Sequence, residues 1–81
     1  MTVTVRYFAG ARAAAGTEAE VVPAGLDRDG LIAELTARHG ERLAAVLRVA
    51  SFLVDGTAWH DSETPLGAGA TVEVLPPFAG G

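Results

Sequence analysis

The chain has 81 residues, 49% of them hydrophobic and 20% charged, with six arginines, no lysine, no cysteine and a net charge of −4. This supports one small globular core and is too apolar for a disordered chain. It excludes disulfides, thiolate metal sites and a cysteine nucleophile, and the acidic balance argues against nucleic-acid phosphates as partners.

"TVTVRYF" alternates β-branched, aromatic and polar residues and predicts a first strand. Val3, Val5 and Tyr7 face one side; Thr2, Thr4, Arg6 and Phe8 face the other. "AGARAAAGT" predicts an alanine-rich turn of helix closed by Gly16, and "EAEVV" a short second strand ended by Pro23 and Gly25. Asp27 is the expected N-cap of the principal helix, "RDGLIAELTARHG", with Leu31, Ile32 and Leu35 on its apolar face and Gly40 as its stop.

"ERLAAVLR" continues helically or as a looser turn, with Leu43, Val46 and Leu47 on its apolar side. "ASFLVDGTAW" predicts a hairpin turning at Asp55–Gly56, and "TVEVL" a last strand after a turn-rich connection. No repeat or linker interrupts this order. Strand, strand, helix and three strands, with one helix covering one sheet, point to an α+β, two-layer fold. With the first and last strands side by side, this is a β-grasp, or ubiquitin-like, roll: a mixed sheet of about five strands and one principal helix packed on one face.

No active site is legible in the side chains. "GARAAAGT" has the wrong glycine spacing for a phosphate-binding loop and no lysine after Gly16. Asp27 and Asp29 lack the further acidic ligands of a calcium loop and are better read as a cap and a first-turn charge. His39 reads as a charge complement at a helix end, and His60 lies far from it in sequence. No metal cluster is expected. "MTVTVRYF" does not resemble a secretory signal, and no apolar run approaches the roughly 20 residues that span a bilayer, so no membrane association and a cytoplasmic location are expected.

The ending "LPPFAGG" needs no side chain for its chemistry. Pro76 and Pro77 fix their φ angles and bias their predecessors toward extended backbone. Phe78 to Gly81 then reach roughly 13 Å beyond the fold. This divides the chain into a folded domain, 1–77, and an extended tail, 78–81, expected to order on a partner. Gly80 and Gly81 lack Cβ atoms, so the tail can thread a narrow channel and deliver the Gly81 α-carboxylate, which a partner enzyme can activate as a mixed anhydride. Phe8 and Leu75 are apolar residues at the ends of the polar faces of their strands. If those strands are parallel neighbours, the two converge beside the tail, with Trp59 joining from the hairpin as a docking patch.

"VRYFAGARAAAGT", the capped helix from Asp27, "LVDG", "TPLGAGATVEVLPP" and above all "PPFAGG" resemble the molybdopterin/thiamine sulfur-carrier family of ubiquitin-like proteins, on its molybdopterin synthase side. The chain departs from the family at "VDG" and "GAGATV", both in turns where Asp, Asn and Gly interchange readily.

The resemblance implies a carrier with no catalytic site and no bound cofactor of its own. A ubiquitin-activating-type adenylyltransferase would use ATP to adenylate Gly81, and a sulfur donor enzyme would convert it to a thiocarboxylate. Docked on the large, catalytic subunit of molybdopterin synthase in a heterotetramer, the tail would give sulfur to cyclic pyranopterin monophosphate to form the dithiolene. Phe8, Trp59 and Leu75 fall where the family contacts the large subunit. A carrier for cysteine or thiamine biosynthesis, a protein modifier joined to lysines of targets, and a non-covalent interaction module remain alternatives.

Overall fold

The computed structural model describes residues 1–59, 61 and 63–77. In chain order it comprises β1 (Thr2–Tyr7), α1 (Ala9–Ala15), β2 (Ala19–Pro23), α2 (Arg28–His39), α3 (Glu41–Leu47), β3 (Ser51–Val54), β4 (Thr57–Ala58) and β5 (Thr71–Leu75). The sheet runs β2-β1-β5-β3-β4, with β1 parallel to β5 and its other pairs antiparallel. This is the expected mixed sheet with the first and last strands adjacent. Two seven-residue helices, α1 and α3, accompany the principal helix α2, and α3 packs against both of the others.

Period-two alternation decides which residues line the core. Val3, Val5 and Tyr7 of β1 meet Val72 and Val74 of β5 under Leu31 and Leu35 of α2 and Leu43 and Leu47 of α3, all at most 2% exposed. Ile32 and Val46 pack only at the margin of this cluster.

Asp27 caps α2, its side chain accepting from Gly30 N at 2.8 Å. Gly40, at φ 87°, ends α2 by donating to Thr36 O at 2.7 Å. It also opens α3, its carbonyl accepting from Ala44 N at 3.2 Å. An L side chain is disfavoured in that left-handed conformation, and the tight break lets both helices lie on one sheet face.

A polar tie holds α2 to the sheet edge. Tyr7 donates to Glu20 of β2, which also meets His39 and lies 3.0 Å from Arg38 Nη1. Arg38 Nη1 donates to Val21 O at 2.7 Å, occupying a carbonyl of the edge strand. Burial, then the bond to Glu20, push the Tyr7 hydroxyl far above its ordinary value, so it remains a donor. Burial alone would raise the Glu20 carboxyl, but hydrogen bonds from Tyr7, His39 and Arg38 outweigh it and hold the group below its ordinary 4.5.

The stability that Glu20 contributes is therefore fully present above pH 4.5 and lost as pH falls through its depressed folded value. Glu20→Gln should cost about 1–3 kcal/mol at neutral pH. Urea midpoints measured from neutral to about pH 3 should show wild type and variant converging in acid. In the core, Leu35→Ala should lower the unfolding free energy by about 2–5 kcal/mol, read from the same urea curves.

Candidate functional site

The sheet face away from the helices is open, and the register arranges its side chains in rows across the strands. The row nearest the end of β5 holds Phe8, Leu75 and Ser51: Leu75 is the partner of Ser51, and one step past the Tyr7–Val74 pair Phe8 comes level with Leu75. Phe8 N donates to Val74 O at 3.1 Å, so the ladder continues one residue beyond β1. The next row runs Ala19, Arg6, Glu73, Leu53, Ala58. Behind it come Val21, Thr4 and Thr71.

Phe8, Leu53 and Leu75 are half-buried and Ala58 is exposed, forming an apolar patch beside the point where Pro76 and Pro77, both exposed, leave the sheet. The Arg6 guanidinium lies 5.7 Å from the centre of the Phe8 ring. Immediately after Phe8 the backbone turns through Ala9, at φ 51°. A non-glycine residue in that region stores on the order of 1 kcal/mol. Phe8 itself is extended, at φ −129° and ψ 149°, and its carbonyl accepts from Ala11 N at 3.1 Å, so the corner drops α1 to the core side and leaves Phe8 on the face.

Two of the expected contact residues, Phe8 and Leu75, are thus brought together, but Trp59 is not with them. It is 8% exposed and lies in the core. Its ring meets Phe52 edge-on at 6.3 Å, and the Arg28 guanidinium lies 5.3 Å from its centre while donating to the Trp59 carbonyl.

The hairpin turn forces this. Asp55 and Gly56 both have positive φ, 49° and 83°, the signature of a two-residue primed turn, so pairing counts outward as 54 with 57 and 53 with 58. The next step places Trp59 opposite Phe52, donating to its carbonyl at 3.0 Å on the inner side, and presents Leu53 and Ala58 outward. Leu53 and Ala58 are the face residues that sequence reasoning missed; counting from "DG" identifies both. Phe78, Gly80, Gly81 and His60 lie outside the described residues.

A cleft of about 560 Å³ opens between the hairpin and the 64–70 connection, with Trp59, Leu66 and Ala70 among its apolar lining and Asp55 and Asp61 at its polar side. Both carboxylates serve the loops: Asp55 accepts from Thr71 N at 2.9 Å and Asp61 from Glu63 N at 3.1 Å. Hydrogen bonds from Thr64 and then from Glu63 N hold the Asp61 carboxyl below its ordinary range. Among the described residues no three His, Cys, Asp or Glu side chains converge to hold a metal, and no helix is long and apolar enough to cross a membrane. What the described residues build is an open, partly apolar sheet face beside the point where Pro76 and Pro77 leave β5.

None of the curated proteins compared matches the chain. Solved structures do. One is the complex of subunits 1 and 2 of molybdopterin-converting factor from Helicobacter pylori, 30% identical, with all of both chains covered and a TM-score of 0.73. Another is a putative molybdopterin-converting factor subunit 1 from Pyrococcus furiosus, 26% identical over 96% of this chain and 99% of that one, with a TM-score of 0.77. SAMP1 from Haloferax volcanii, 22% identical with both chains fully covered and a TM-score of 0.74, shares the fold. The model of the ThiS family matches residues 5–81, through both terminal glycines, and this chain belongs to that family.

Proposed function

We propose that this protein is the sulfur carrier of a cytoplasmic molybdopterin synthase, its small and non-catalytic subunit. The observation that carries the reading is the parallel β1–β5 register, which sets Phe8 and Leu75 level at the exit to a tail that the family match follows through Gly81. The Helicobacter pylori relative, in complex with a second subunit of molybdopterin-converting factor, supports a large-subunit partner, here in a heterotetramer of two small and two large chains.

In the proposed cycle the Gly81 carboxylate attacks the α-phosphate of ATP on an adenylyltransferase, releasing pyrophosphate and leaving an acyl-adenylate. Sulfide-level sulfur delivered by a donor enzyme attacks the acyl carbon, forming the C–S bond as the C–O bond to AMP breaks, and AMP departs to leave the thiocarboxylate. The face then docks on the large subunit, and the tail carries the sulfur to cyclic pyranopterin monophosphate. Pro76 and Pro77 serve as a stiff base, since fixed φ angles reduce the entropy lost when the tail is threaded. Phe78 spans from that base to the glycines, and Gly80 and Gly81 pass where a Cβ would not.

The test is the intact mass of the chain after incubation with ATP, a sulfur source and the activating enzyme of the same organism. One oxygen should be replaced by one sulfur, and deletion of Gly81 should abolish the change. No mass change with an activating enzyme shown to be competent on another carrier would reject sulfur carriage. Recovery of Gly81 in amide linkage to lysines of other proteins would replace this reading with that of a modifier. Delivery to the pterin precursor is checked separately, by dithiolene formation with the large subunit and the thiocarboxylated chain.

A further inference from the structure

At the centre of the open face lie two charges that the fold does not use. Arg6 and Glu73 are partners in the parallel β1–β5 ladder, so their side chains are neighbours on the same side of the sheet. Among the described residues, ion pairs are made by Arg12, Arg38, His39 and Arg48, and neither Arg6 nor Glu73 takes part in one. Arg6 instead lays its guanidinium against Phe8.

The other outward strand residues are uncharged: Thr2, Thr4, Thr71, Ser51, Leu53, Leu75, Ala58, Ala19, Val21 and Pro23. Phe8 and Leu75 border the couple on the tail side, and Leu53 and Ala58 extend the row beyond Glu73. A surface that covers these apolar residues also takes both charges out of water. Desolvation leaves two outcomes: the two charges close on each other, or the partner supplies an opposite charge to each.

We infer that Arg6 and Glu73 are specificity-determining residues of the docking face, read as an oriented couple by a protein partner. That partner presents a carboxylate over Arg6 and an arginine or lysine over Glu73, around an apolar recess for Phe8 and Leu75. The inference rests on the proposed docking to a large subunit and adds the charge pattern that subunit must carry.

The geometry favours reading over self-neutralisation. The Arg6 guanidinium lies 5.7 Å from the centre of the Phe8 ring, two residues along the chain toward the tail side, and forms no ion pair with Glu73. The couple also lies across the strands, so it fixes the rotation of the partner about the face normal. Apolar contacts, having no direction, do not, and a tail threading a channel tolerates little rotation.

The experiment is calorimetric titration of the large subunit of the same organism, at low and high salt, with full-length wild type, Leu75→Ser, Arg6→Glu, Glu73→Arg and the double reversal. Circular dichroism checks each fold, and Arg6→Gln and Glu73→Gln stand in for any reversal that fails to fold. Each single reversal should weaken binding at least about tenfold, and the double reversal further still, because both poles then face like charge. A double reversal that binds like wild type would show that the charges merely cancel each other, overturning the inference. Single reversals without effect, while Leu75→Ser abolishes binding, would overturn it and leave docking intact. Wild type that does not bind at all would overturn the docking reading itself, and this inference with it.

Discussion

The pairing of β1 with β5 lies at the centre of the sheet, and both faces depend on it. On the inner side it sets Val5 beside Val72 and Tyr7 beside Val74, the floor on which α2 and α3 pack. On the outer side the same four-residue register sets Arg6 beside Glu73 and brings Phe8 level with Leu75. Because side chains alternate strictly along a strand, a slip of one residue would bury the threonines and expose the valines. The core therefore enforces the geometry of the open face: apolar burial fixes the register, and the register fixes which polar and apolar residues meet on the open side.

The remaining devices hold that face in shape from behind. The Tyr7–Glu20–His39–Arg38 network ties α2 to β2 and covers an edge carbonyl, which blunts a strand otherwise open to pairing. At the other edge Arg28, at the start of α2, stacks on Phe52 and Trp59 and donates to the Trp59 carbonyl, anchoring a hairpin whose second strand has only two residues. Asp55 closes the third contact, its N–H and side chain both engaging Thr71 where β5 begins. A face built on a short, fully tied sheet has little backbone freedom left to lose, which suits the docking proposed for it.

Most elements were legible because their signals are local. Alternation in "TVTVRY" and "TVEVL", the Asp27 cap, the Gly40 stop and the Asp55–Gly56 turn each reflect chemistry within a few residues, and each appears where expected. Trp59 departs from the expected patch because register, and not residue type, sets the side to which a residue after a hairpin turn points. Counting from the turn sets it opposite Phe52 and turns it inward. Membership of the patch is likewise a matter of pairing alone for Leu53 and Ala58. His39 kept its helix-end position but gained a partner, Glu20, that no sequence spacing announces.

By itself the sequence determined the strands, the helices, their caps and the family to which the chain belongs, since propensity, turn chemistry and a terminal motif are properties of short segments. Only the tertiary structure decided which residues share the open face. Arg6 and Glu73 are 67 positions apart in the chain, and Phe8 and Leu75 equally far. What makes each pair neighbours is the parallel register of two strands held by a core, a non-local packing decision that no segment contains.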